Sequence, residues 1–170
     1  PIVMCAGASK AGSDFAAEHA DCQFIGTMGI EGLKERVAGL KKDAREKYGK
    51  DIRVFTTTYI MCRDTEQEAR DYYQYAVNEK GDWEGARNLV RGMLPNVENA
   101  VGDDAMVASL IAGYGGFPLI GTPDQVVAGM KDLSDAGLDG VTVSFVDYQD
   151  GLSRMERDIL PRMQAAGLRA

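Results

Sequence analysis

Short unbroken apolar runs alternate along this chain with longer stretches in which apolar residues recur every three or four positions. Pro1–Ala6 carries no polar alternation, as expected of a strand buried on both faces. Asp21–Ile25 reads as a second strand. Asp51–Cys62, rich in β-branched and aromatic residues, reads as a third, and Asp139–Phe145 as a fourth. Between them lie helical patterns. Ser13 and Asp14 offer N-cap oxygens to a first helix beginning at Phe15. Ile30–Tyr48 places Ile30, Leu33, Val37 and Leu40 on one face and closes at Gly49. Thr65 caps a helix whose Tyr72, Tyr73 and Tyr75 are expected to fill core. Thr122 caps another, with Pro123 at its first position, and Leu152–Ala166 forms the last, bent at Pro161 after a polar, aromatic turn at 146–151.

The order is β-α-β-α-β-α-α-β-α, with an insert in the third connection. Alternating apolar strands and amphipathic helices predict a parallel sheet with right-handed crossovers. A crossover needs only about a dozen residues. The stretch between Cys62 and Asp139 is several times longer and holds helical pieces at Trp83–Met93 and Asp103–Ala112, a break at Pro95 and the loop 113–118. Residues 79–118 are therefore expected to be an inserted, lid-like segment covering a site. Four βα units are half of a (β/α)8 barrel, which needs about 250 residues; a small open doubly wound sheet with two bare edges is the alternative. The chain opens at Pro1 inside an apolar strand, so a fragment of a larger barrel domain is expected. A second copy or the complementary half would then cover its edges.

Composition removes several classes of function. The 170 residues are 45% apolar with net charge −7, which suits a globular protein with a real core and offers no basic stripe for nucleic acid. No apolar run approaches the ~20 residues that cross a bilayer, so no membrane segment is expected, and the cytoplasm is the expected location. Cys5, Cys22 and Cys62 are odd in number and far apart, so they read as buried thiols, with neither a disulfide framework nor a metal site. His19, the one histidine, lies within the first helix, which argues against Ser-His-Asp or Cys-His chemistry.

One turn carries candidate chemistry. Gly7–Gly12 holds only small residues and Lys10, between a strand and a helix start. Such a turn directs free N–H groups at one point and suits a phosphate, although it lacks the Walker pattern and could simply be tight.

Several stretches resemble the luciferase-like flavin-dependent monooxygenases. Ala6-Gly7-Ala8-Ser9-Lys10-Ala11-Gly12 with Phe15-Ala16-Ala17 and Ala20-Asp21 is similar to that family's A-G-x-S-x-x-G…F-A-A…A-D segment. Arg63-Asp64-Thr65-Glu66-Gln67-Glu68-Ala69 resembles the start that follows its seventh strand. Gly121-Thr122-Pro123-Asp124-Gln125-Val126 with Ala136-Gly137-Leu138-Asp139-Gly140 resembles G-T-P-E-Q-V…A-G-x-D-G, and Leu160-Pro161-Arg162-Met163 the closing L-P-x-L helix. The resemblance covers the chain almost end to end, in the family's order, and looks nearest the two-component enzymes acting on sulfonates, sulfones, aminopolycarboxylates and pyrimidines.

The resemblance implies an α/β fold: strands five to eight, the C-terminal half of a TIM-like barrel, with a helical insertion before the last strand. It implies reduced FMN, supplied by a separate NAD(P)H:flavin reductase, and oxygenation of a small organic substrate by O2. Carried over position by position, it assigns Ser9 and Gly12 to the phosphate and Ala6, Gly7 and Ala8 to the ribityl chain. It leaves the catalytic residues to the N-terminal half, and this chain alone is expected to be inactive. Tyr114, Phe117 and Tyr148 are candidate substrate contacts, because catalytic-face residues lie at strand C-termini and in the loops after them. Hydride transfer with a flavin or deazaflavin on the same barrel, and a non-catalytic module binding a phosphorylated ligand, are the alternatives.

Overall fold

A ten-residue strand at Arg53–Cys62 is the axis on which the rest assembles. The computed structural model describes residues 1–7, 9–27, 29–93 and 102–169. In chain order the elements are β1 (Met4–Cys5), α1 (Lys10–His19), β2 (Cys22–Phe24), α2 (Leu33–Tyr48), β3 (Arg53–Cys62) and α3 (Glu66–Tyr73). A π-helical continuation at Gln74–Glu79 follows, then α4 (Trp83–Met93), α5 (Asp104–Gly113), β4 (Phe117–Gly121), α6 (Pro123–Asp135) and β5 (Gly140–Ser144). The chain finishes with α7 (Tyr148–Arg154), a π-helical stretch at Met155–Ile159 and α8 (Leu160–Ala165). No helix among the described residues is long and apolar enough to cross a membrane.

All pairings are parallel, as the alternation predicts. β1 pairs with β2, and β2 with the start of β3 (Phe24 opposite Phe55). On its other edge β3 pairs with β5, from Phe55 opposite Gly140 to Tyr59 opposite Ser144. The four predicted strands are thus consecutive neighbours. The structure adds a fifth that the sequence reading placed in a loop: β4 pairs with Thr58–Cys62 on the edge that β2 uses lower down. Pro118 made this run look like a break, but an edge strand tolerates a residue without an N–H.

The sheet has two unlike faces. Val54, Ile60 and Cys62 point at the helices and join Leu33, Val37, Val126, Met130, Leu133 and Ile159 in the main core. Thr56 and Thr58, wholly buried on that side, donate their hydroxyls to the Ile25 and Thr142 carbonyls, which removes the penalty of burying them. On the other face Met4, Arg53, Thr57 and Thr142 are exposed, and the Phe24 and Phe55 rings lie 5.7 Å apart, half-buried. Among the described residues, helical cover on that face lies at its upper end. There Tyr59 and Met61 pack beneath Val77 of the π-helical stretch and Ala108 and Ala112 of α5.

Three helix starts differ from expectation. α2 begins at Leu33 rather than Ile30, after Gly32 in the left-handed region (φ 67°), which leaves Ile30 exposed outside it. α1 begins at Lys10, capped by Ser9, rather than at Phe15. Ser13 and Asp14 are instead inside it, with the Ser13 hydroxyl engaged by Gln23 and Asp14 paired with Lys10. α7 begins at Tyr148, because the Asp147 carboxylate caps the amides of Gln149 and Asp150, so the expected turn is the helix's first turn.

Candidate functional site at the carboxyl ends of the strands

The chain leaves β1 through Ala6 and Gly7 and enters α1 at Lys10. Ser9 has extended backbone (φ −75°, ψ 163°), and its Oγ accepts the Gly12 N–H at 3.1 Å. A hydroxyl that accepts one bond still has its O–H to donate. The Lys10 and Ala11 amides, in the first turn, have no carbonyl within the helix to bond. The first turn holds no acidic side chain. Strand end and helix touch at two glycines: a Cβ on Gly7 would lie 2.7 Å from the Gly12 Cα, and one on Gly12 would lie 2.8 Å from the Gly7 Cα. Neither position has room for a side chain.

Among the predicted cofactor-binding residues, Ala6, Gly7, Ser9 and Gly12 are therefore brought together, and Ala8 lies outside the described residues. Gly12 serves by close approach, since its N–H is taken by Ser9. Lys10 reaches one turn forward along the helix to Asp14 at 2.7 Å, and this hydrogen bond holds the Asp14 carboxyl below its ordinary range.

A cavity of about 400 Å³ opens where β5 ends against the insert, lined by Thr57, Val77, Ile111, Tyr114, Ser144 and Phe145 among others. No charged side chain lines it among the described residues. Tyr114 stands at its mouth, 66% exposed and in the left-handed region (φ 54°). Tyr148 does not line the cavity; its ring lies edge-on, at 5.7 Å, to Phe145, which does. Phe117, also an expected substrate contact, pairs with Thr58, packs in the main core and does not line the cavity. Thr57 and Ser144, which do line it, gave no sequence signal beyond their places in strands.

Between the ends of β3 and β5 an ionic network joins loop to helix. Arg63 donates to the Cys62 carbonyl (2.6 Å) and Asp150 (3.0 Å), with its guanidinium 3.6 Å over the Tyr72 ring. Arg154 binds both Asp150 and Asp64. In the insert, Arg87 is engaged by Asp104 at 2.5 Å and lies over the Trp83 ring, away from the cavity lining. All three cysteines are free, with Cys22 and Cys62 buried as expected. His19 is exposed on α1 against Phe15. Among the described residues no group of three or more His, Cys, Asp or Glu side chains could hold a metal.

Residues 1–140 match the luciferase-like monooxygenase family. The chain belongs to that family. The chain is 28% identical over 172 residues to an FMNH2-dependent dimethylsulfone monooxygenase of Pseudomonas putida, covering 95% of this chain and 46% of that protein. It is 26% identical over 172 residues to the pyrimidine monooxygenase RutA of Enterobacter sp. (strain 638), with the same coverage. The crystal structure of DmoA from Hyphomicrobium sulfonivorans superposes with a TM-score of 0.83 at 20% identity, over 98% of this chain and 42% of that one, which shows a shared fold. The chain thus spans about half the length of the curated relatives it matches.

Proposed function

We propose that this chain is the C-terminal half of a (β/α)8 barrel that binds reduced FMN and supports oxygenation of a small organic substrate by O2. The observation that carries the flavin assignment is the turn after β1. It offers the Ser9 hydroxyl and the Lys10 and Ala11 amides at a helix N-terminus without a first-turn acid, and these donors fit a phosphate monoester. Ala6 and Gly7, small and at the strand end, leave space for the ribityl chain. When bound, the reduced flavin supplies the electrons that activate O2. This chain's own part is to anchor the phosphate and to wall the substrate cavity from water with the insert, residues 79–118. Residues 94–101 of that insert lie outside the described residues.

The half-barrel reading rests on the uncovered face. A parallel sheet is ordinarily covered on both sides, and here, among the described residues, Met4 and Thr57 on one side are exposed and Phe24 and Phe55 half-buried, with helical cover at the upper end. An N-terminal half supplying four more strands would close the face and add the remaining site residues. The part of the cavity that this chain lines carries no charged side chain among the described residues, and the substrate is drawn from the sulfone, pyrimidine, sulfonate or aminopolycarboxylate classes, of which we take a neutral sulfone or pyrimidine as the first to test. A separate NAD(P)H:flavin reductase would deliver the cofactor.

The test uses the complete gene product with anaerobically reduced FMN. Tight binding, lost in Ser9→Glu, is expected; unchanged affinity in that variant overturns the phosphate assignment. Coupled to a reductase, the wild type is expected to consume O2 in response to neutral candidates, and a response confined to anionic ones overturns the substrate reading.

A further inference from the structure

Gln23 is the one long polar side chain in β2, and it is only 1% exposed. Its partner across the sheet is Val54, so it faces the helices, beneath α1. Burying a primary amide is costly unless its donors are used. Here Nε2 donates to the Gly7 carbonyl at 3.3 Å and to the Ser13 hydroxyl at 3.1 Å. The Gly7 carbonyl can only accept, which fixes the orientation of the amide. One nitrogen therefore ties the end of β1 to the first turn of α1.

We propose that Gln23 is a positioning residue for the anion-binding turn, an inference that rests on the phosphate reading above. Its effect is electrostatic as well as steric. The Gly7 carbonyl oxygen carries partial negative charge and sits next to the space an anion would occupy. Drawing that oxygen inward to a buried donor keeps its lone pairs from the phosphate. The second bond, to Ser13, sets the helix start against the strand end at the distance the two facing glycines require.

The test compares reduced FMN with reduced riboflavin, which lacks the phosphate, in the complete protein. Gln23→Met keeps length and apolar volume but removes both donors. It is expected to weaken FMN binding about tenfold while leaving riboflavin within about twofold. Ser13→Ala removes one anchor and is expected to weaken FMN about threefold, again without affecting riboflavin. Equal losses for both flavins, or no loss for either, overturn the proposal. If Gln23→Met does not fold, Ser13→Ala decides: an unchanged FMN-to-riboflavin ratio overturns it. A wild type that binds both flavins equally sinks the phosphate reading and this inference together. A wild type that prefers FMN, with the preference erased by Ser9→Glu but kept by Gln23→Met, sinks this inference alone.

Discussion

Among the described residues three helices start from a hydroxyl N-cap, and one of them is built differently. At α3 and α6 the cap is Thr65 or Thr122, and the third helical residue, Glu68 or Gln125, reaches back to the cap's own N–H to complete a capping box. Both also carry an acid in the first turn, as the helix dipole favours. At α1 the cap is Ser9 and the third residue is Gly12, which has no side chain to return the bond, and the first turn carries Lys10 and no acid. In two of these starts a side chain returns to the cap's own N–H and an acid stands in the first turn. The third has neither that return bond nor a first-turn acid, at the cost of local helix stability.

The most severe way to break this contrast is to give α1 the box it lacks. Gly12→Gln supplies the reaching amide, but its Cβ would fall 2.8 Å from the Gly7 backbone. We expect destabilisation of about 1–3 kcal/mol, visible as an earlier denaturant midpoint, from overpacking against an atom that cannot move aside. Loss of reduced-FMN affinity on the order of 100-fold is expected with it, as donors to a charged group are displaced. A milder comparison removes one cap at a time. Ser9→Ala and Thr122→Ala should each cost about 1 kcal/mol in unfolding experiments, lowering the melting temperature by about 2–4 °C. Only Ser9→Ala should also weaken flavin binding, by about tenfold. A matching loss in Thr122→Ala would mean that the two starts are not functionally distinct.

The same contrast explains what could be read in the residues and what could not. Thr122 with Pro123, and Thr65 with Glu68, state their helix starts locally, and the structure has them there. The start of α1 misled because Ser9 and Ser13 are both adequate caps, and a glycine at position 12 looks like part of a loop until its contact with Gly7 is known. That contact is tertiary, as is the burial of Gln23, which a strand pattern treats as a solvent-facing position. β4 was hidden by Pro118, whose tolerance depends on its being at an edge. The Ala136–Gly140 stretch was correctly seen as a family signature, yet its Asp139 sits at the amino end of β5, far along the strands from the candidate site. There its carboxylate accepts from the Val54 amide and from Lys41 at 2.7 Å, a structural clasp between strands. Sequence marks both as conspicuous motifs; only position along the strand separates chemistry from architecture.

The finest distinction lies in the order of charge. In α3 the pair Glu66–Arg70 places the acid first and the cation a turn later, the arrangement the dipole favours. In α1 the pair Lys10–Asp14 runs the other way. Both carboxyls are held below their ordinary values, chiefly by the hydrogen bond to the paired cation. Each pair therefore contributes stability above the carboxyl's ordinary value, which is lost as pH falls through the lowered one. For Asp14 that ordinary value is 3.8. Exchanging the α1 charges, Lys10→Asp with Asp14→Lys, should raise the melting temperature at neutral pH by about 1 °C. The gain should disappear in strong acid, where the new Asp is protonated, and in high salt, which screens an exposed pair. Flavin affinity should fall as stability rises, because the exchange puts a carboxylate beside the donors proposed for the phosphate. An exchange that stabilised the helix and left FMN binding untouched would show that the reversed order at α1 serves no anion.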